Sequence, residues 1–289
     1  MNCVRPRAKI FLDSGDQEET REAAGLMGFL DGQTTNPTLI AGHPAARERK
    51  LKGDAFTRRE IMTLYRAVAR DIAAQIPAGS VSLEVYADER TATADMMDAA
   101  WEMYAWIPNA HIKFPLTAAG LAAAEAAVAE GMRVNLTLCF SQAQAAAVYA
   151  ATRGAKKGQV FVSPFVGRLD DRGENGMDLI ANIIRMYAAG DGHVEVLAAS
   201  IRSMDHVFAA LRLGSDIITA PAKVLRAWAD AGCPAPPDDW AYRPVALAPI
   251  PYKDIDLALD WRRFAIDHEL TSRGLERFSA DWNALIARA

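Results

Sequence analysis

The sequence predicts a single (β/α)₈ TIM barrel with a C-terminal helical extension. Three observations predict it. Eight short apolar runs of strand character alternate with longer segments of helical period. Several of those longer segments open on a capping residue and close on glycine. No glycine-rich dinucleotide loop follows the first run, which ranks a doubly wound open sheet below a closed barrel. The 289 residues suit one such barrel.

The runs read as strands are 9–14, 31–34, 81–86, 110–114, 133–138, 160–164, 194–199 and 216–219. Asp16 is the expected cap of the first helix, which leaves Asp13 free. Thr117 caps an alanine-rich helix ending at Gly131, and Ser141 opens 142–153 ahead of Gly154. Ser203 opens 204–213 before Gly214, and Pro221 opens 222–231 before Gly232. Two stretches break the rhythm. The connection 41–80 is longer than one helix needs, and its charged part, 47–52, reads as a surface loop or extra turn. Six of the fourteen prolines fall in 234–251. Residues 234–256 therefore read as a proline-rich excursion and 257–289 as a helical tail, the whole of 1–289 forming one domain.

Composition narrows the function. Hydrophobic residues make up 51% and charged residues 24%, as in ordinary globular proteins. A net charge of −4 offers no basic excess for phosphate backbones, so no nucleic-acid partner is expected. No apolar run is long enough to span a bilayer, and 1–9 is too short and polar for a signal peptide, so no membrane partner is expected. Cys3, Cys139 and Cys233 are odd in number and far apart. They are expected to form neither a disulfide framework nor a zinc site, with a reducing cytoplasm as the compartment.

Catalytic groups of such barrels sit at the C-terminal ends of the strands. Reading those ends in order gives Asp13; Thr34, Thr35 and Asn36; Glu84; Lys113; Asn135 and Thr137; Ser163; Ser200; and Thr219. Arg168 and Arg202 follow closely. Lys113 stands out, because an ammonium within an apolar strand must be paired, exposed or neutralised. A neutral lysine is a nucleophile toward carbonyls. One amine, two carboxylates, several hydroxyls and amides and two guanidiniums suit aldol chemistry on a polyhydroxylated anion.

Each residue has a plainer reading. Lys113 could snorkel to solvent. Glu84 could pair with Arg90, Arg168 with Asp170 or Asp171, and Arg202 with Asp205. Asn36-Pro37 could be only a turn, and Ser163-Pro164 only a strand end. Asn135 and Thr137 could serve neighbouring backbone groups. His111, two before Lys113, could influence it, and Cys139 reads as a small core residue.

The ordered motifs decide between these readings. Phe11-Leu12-Asp13-Ser14, Thr34-Thr35-Asn36-Pro37, Ile112-Lys113-Phe114-Pro115, Asn135-Leu136-Thr137-Leu138, Ser163-Pro164-Phe165-Val166-Gly167-Arg168 and Ala199-Ser200-Ile201-Arg202 resemble the transaldolase family, motif by motif. The segment 268–282 is similar to that family's C-terminal helix. The resemblance implies a class I, Schiff-base (β/α)₈ barrel of the pentose phosphate pathway. Such an enzyme moves a dihydroxyacetone unit from a ketose phosphate, fructose 6-phosphate or sedoheptulose 7-phosphate, to an aldose phosphate. It implies that Lys113 attacks the ketose carbonyl and that Asp13 is the acid/base. Glu84 and Thr137 would hold a proton-relaying water. Asn36, Asn135 and Ser163 would hold the three-carbon unit, Arg168, Ser200 and Arg202 the phosphate, and Thr34 would border the site. The protonated imine is the electron sink, so no metal or cofactor is expected.

Within the family a branch of fructose-6-phosphate aldolases cleaves the sugar directly. Glu84 and Phe165 resemble the transferase branch, where aldolase-type members tend to carry Gln and Tyr. Phe114 is bulkier than the expected Ile. A non-catalytic barrel that binds sugar phosphates is the rival of different class, and a metal-dependent aldolase is a weaker one, since no histidine cluster has ligand spacing. The resemblance also implies a homo-oligomer, with the helix around Trp282 as the candidate contact.

Overall fold

The computed structural model describes residues 3–287 and shows a closed barrel of eight parallel strands in chain order. They are β1 (Lys9–Asp13), β2 (Gly32–Thr34), β3 (Ser80–Glu84), β4 (Ala110–Pro115), β5 (Val134–Cys139), β6 (Val160–Pro164), β7 (Val194–Ala198) and β8 (Ile217–Ala220). Every run read as a strand is one, with ends shifted by a residue or two. The barrel closes where β1 pairs with β8, Lys9 opposite Ile217 and Phe11 opposite Thr219.

The helices are α1 (Gln17–Met27), α2 (Pro37–Ala41), α3 (Pro44–Leu51), α4 (Arg58–Gln75), α5 (Thr93–Tyr104), α6 (Ala118–Ala129), α7 (Gln142–Ala151), α8 (Val166–Asp170), α9 (Gly176–Tyr187), α10 (Met204–Leu213), α11 (Ala222–Asp230) and α12 (Glu269–Asn283). Asp16, Thr117, Ser141 and Ser203 each accept a first-turn backbone N–H with their side chains, as capping chemistry demands. The charged stretch 47–52 is not a loop. Most of it belongs to α3, because the His43 side chain caps that helix and Pro44 fixes φ in its first turn.

Successive side chains of each strand alternate between barrel interior and helical shell. Inside, the lower layers are filled and inert. The Phe161 ring stacks on His111, with centroids 4.1 Å apart, and meets Phe11 edge-on at 6.0 Å. Gly32 makes room for that cluster, since a Cβ there would lie 2.5 Å from Phe11 Cζ. His111 is bonded to Ser80 through Nδ1 and to the Gly158 carbonyl through Nε2. Burial pushes its pKa down to about 3. It is a neutral plug one layer below Lys113. Polar side chains occupy the layer above, at the strands' C-terminal ends.

The chain beyond α11 returns over the shell and then the mouth. Ala248 N donates to Gly173 O at 2.6 Å, Asn175 N to Ala248 O at 2.8 Å, and Lys253 N to Gln142 Oε1 at 2.8 Å, so this part of the proline-rich excursion is tied to the α8–α9 connection and to α7. A short 3-10 turn at Trp261–Arg263 follows, and α12 then lies across β5 and α2. The expected tail is thus helical only in part, and residues 288 and 289 of it lie outside the described residues. Trp282 is buried against Tyr65 of its own chain, with ring centroids 6.1 Å apart.

The cysteine expectation is also corrected, because Cys3 and Cys233 form a disulfide. They are 230 residues apart in sequence but neighbours in a closed barrel, since pairing of β1 with β8 brings the N-terminal segment beside the end of α11. Cys139 is the buried free thiol, and burial pushes its pKa up to about 12. No helix of the described residues is long and apolar enough to cross a membrane.

Candidate active site

Strand register brings the polar ends together. Asp13 stands opposite Thr34, Glu84 opposite Lys113, and Lys113 opposite Asn135. A cavity of about 210 Å³ opens above them, lined by Asp13, Thr34, Asn36, Lys113, Ser163, Phe165, Arg168, Ser200 and Arg202, among others. The remaining expected residues, Glu84, Asn135 and Thr137, are buried at the ends of β3 and β5 on either side of Lys113.

Lys113 does not snorkel. Its side chain is 3% exposed, and Nζ lies 2.9 Å from Glu84 Oε2 and donates to Thr35 O at 3.2 Å. Glu84 therefore pairs with Lys113 and not with Arg90. Burial raises the Glu84 pKa, and Lys113 is the main influence opposing it. Glu84 N donates to Tyr65 Oη at 2.9 Å, and that hydroxyl shares a hydrogen bond with Thr35 Oγ1, which fixes this end of β3.

Asp13 accepts from Thr34 Oγ1 at 2.7 Å, and that hydroxyl also meets Thr219 Oγ1 at 2.7 Å. Burial raises the Asp13 pKa, against the lowering effects of Lys113, Thr34 and Arg168 in that order. Ser163 Oγ donates to Asn135 Oδ1 at 2.7 Å, and Asn135 Nδ2 donates to Ser82 Oγ at 3.1 Å. The Thr137 hydroxyl has no partner among the described residues despite complete burial. Such a group costs about 1–3 kcal/mol unless something polar reaches it. Asn36 caps α2 by accepting from Leu39 N at 2.9 Å, so its turn role and its place at the cavity coexist.

The two expected arginines differ. Arg202 pairs through both terminal nitrogens with Asp171, not Asp205. Arg168 has no carboxylate partner among the described residues. Its guanidinium lies 5.2 Å from the Phe165 ring centroid and 5.3 Å from that of Phe278, and burial, then Arg277 and Arg202, lower its pKa. Ser200 holds φ at +58° and Leu138 at +61°, left-handed conformations that cost a non-glycine residue about 1–3 kcal/mol and gather at functional sites. Gly167 N donates to Ser200 O at 3.1 Å, locking the two arginine-bearing loops together.

Thr38, Leu39, Thr219, Arg277 and Phe278 also line the cavity. Thr219 is legible in the sequence as a strand-end hydroxyl, though not as a cavity wall. Arg277 and Phe278 carry no such signal, because nothing in a helix's own sequence says that it crosses a barrel mouth. Gly274 marks the crossing. A Cβ there would lie 2.6 Å from Leu138 Cδ2 and 2.7 Å from Arg168 Nη1. Phe114 faces the shell, fully buried, on the side of β4 opposite Lys113, so its bulk does not shape the cavity.

Fold and site together define a (β/α)₈ barrel with a buried amine–carboxyl pair below its mouth and cationic groups on one rim. The chain belongs to the transaldolase/fructose-6-phosphate aldolase family, whose model matches residues 10–289. It is 35% identical over 277 residues to a protein of Dehalococcoides mccartyi named "Probable transaldolase", covering 96% of this chain and 99% of that one. Proteins of the same name from Paracoccus denitrificans and Brucella ovis are each 36% identical over 274 residues, with 95% of this chain and 96% of theirs covered.

Proposed function

We propose that this protein is a transaldolase working through a Schiff base on Lys113. The carrying observation is the nearly complete burial of Lys113 beside Glu84 at the floor of a cavity whose rim bears Arg168 and Arg202. Lys113 Nζ attacks the ketose carbonyl carbon. The carbinolamine hydroxyl leaves as water with a proton from Glu84, whose raised pKa favours the protonated form. Asp13 takes the proton from the hydroxyl whose carbon departs as aldehyde, and the iminium accepts the electron pair of the broken C–C bond. The positive iminium favours the Asp13 anion against its burial. The unpartnered Thr137 hydroxyl is suited to hold the water. Asn36, Asn135 and Ser163 face the three-carbon unit, and Arg168, Ser200 and Arg202 the phosphate. Thr34 orients Asp13.

Phe165 lines the cavity and supplies no phenol to protonate the enamine, which favours transfer to an aldose phosphate over direct release. The test is aldehyde release from fructose 6-phosphate in a chelator, with and without erythrose 4-phosphate. Glyceraldehyde 3-phosphate formed catalytically only with the acceptor supports a transaldolase. Steady release without it would place the chain with the direct aldolases, and no product in either condition would count against both.

A further inference from the structure

Glu84 also lines a second space. Helices α4 and α5 splay apart on the outside of the barrel, leaving an open cleft of about 1040 Å³. Exposed charges form its rim, with arginines such as Arg58 and Arg66 on the α4 wall and acids such as Asp98 on the α5 wall. Its inner lining is buried and includes Tyr65, Glu84 and Trp282. Lys113 lines the substrate cavity, Glu84 lines this cleft, and the two are 2.9 Å apart. The ion pair is therefore the partition between two solvent-accessible spaces.

We propose that the α4–α5 cleft is the water inlet of the active site, separate from the mouth by which the sugar phosphate enters. This rests on the Schiff-base reading above. Forming the iminium from a neutral amine and a ketone consumes one proton, given by Glu84, and releases one water carrying the ketone oxygen. Hydrolysis reverses both, with Glu84 recovering its proton. Each turnover thus moves one water out and one water in across a floor that bound substrate covers, because the mouth cavity is only about 210 Å³. The cleft reaches Glu84, the residue that carries the proton, without passing the substrate. Its charged rim keeps it hydrated, and the Tyr65 hydroxyl, bonded to Glu84 N, holds its inner end in place.

The test plugs the cleft without touching a catalytic group. Ala99 and Thr63 stand on its opposite walls, so Ala99→Trp and Thr63→Trp narrow it. Thr63 is exposed, and a tryptophan there leaves the core undisturbed even if Ala99→Trp misfolds. Leu26→Trp, exposed on α1, is the control. Exchange of the fructose 6-phosphate C2 oxygen with ¹⁸O-water is measured without acceptor, beside KM and borohydride trapping at Lys113. The inlet predicts exchange slowed ~10-fold or more in the plugged variants, with KM and final trapping unchanged and the control at the wild-type rate. Folded plugged variants that exchange at the wild-type rate overturn the inlet and leave the Schiff base standing. A wild-type protein that traps no adduct overturns both.

Discussion

Lys113 Nζ and Glu84 Oε2 lie 2.9 Å apart with each side chain 3% exposed, so neither charge has water to fall back on. Breaking such a pair from one side is costly because the survivor stays buried, typically by about 3–5 kcal/mol. The survivor's escape here is protonation. Lys113→Met should abolish turnover and borohydride trapping. It should also raise the Glu84 pKa further, since Lys113 is the largest influence lowering it. A carboxyl whose folded pKa is raised contributes stability below its unfolded pKa and loses it as pH rises through the folded one. The melting deficit of Lys113→Met should therefore widen with rising pH. Lys113→Met/Glu84→Gln should remove that widening, and thermal melts from pH 5 to 9 check both.

Asp13 carries the same sign as Glu84. Burial raises its pKa, so holding it as the anion near neutrality works against the fold. Asp13→Asn keeps an acceptor for Thr34 Oγ1 and removes the charge. It should lose most turnover while gaining stability at pH 8, about 2 °C in Tm for each kcal/mol. The gain should shrink on acidification toward the unfolded carboxylate range. A variant less stable than the wild type at pH 8 would show that Asp13 is held by its cationic neighbours more strongly than burial opposes it.

Much of this architecture is legible in the amino-acid sequence. Seven of the strands are readable as apolar runs, β2 (Gly32-Gln33-Thr34) being placed by the rhythm around it, and the parallel register then sets Glu84, Lys113 and Asn135 side by side and Asp13 opposite Thr34. Neither periodicity nor motif order can give what depends on the chain's path between elements. Arg277 and Phe278 reach the cavity only because α12 crosses the mouth, and α3 exists because His43 and Pro44 start a helix in a segment whose charge suggests a loop. The choice of Asp171 as the Arg202 partner depends on how two loops meet.

The rim arginines should divide their work unequally. Arg168 is free of carboxylates among the described residues and packed near Phe165 and Phe278, ready to meet an anion at little conformational cost. Arg202 is already bound by Asp171 in an exposed pair. Arg168→Lys should raise KM for fructose 6-phosphate ~10-fold or more, the worth of charge-assisted hydrogen bonds at about 1.5–3 kcal/mol. Turnover of unphosphorylated dihydroxyacetone as donor should change little. Asp171→Asn should lower KM for the phosphorylated donor by releasing Arg202. Equal effects of Arg168→Lys on both donors would assign Arg168 to packing and not to the phosphate.

The Cys3–Cys233 bridge joins the N-terminal segment to the end of α11, where the strands at the two ends of the barrel pair. Cross-linking residues so distant in sequence restricts the unfolded chain, and native disulfides are commonly worth about 2–4 kcal/mol. The oxidised protein should show one thiol on denaturation and three after reduction, with the thiol of buried Cys139 silent in the native state. Reduction, or Cys3→Ser, should lower Tm by several degrees. It should leave KM and kcat unchanged, because neither cysteine lines the cavity. Three reactive thiols in the denatured protein purified without reductant would mean that the bridge does not form under those conditions, and Cys3→Ser would then cost nothing in stability.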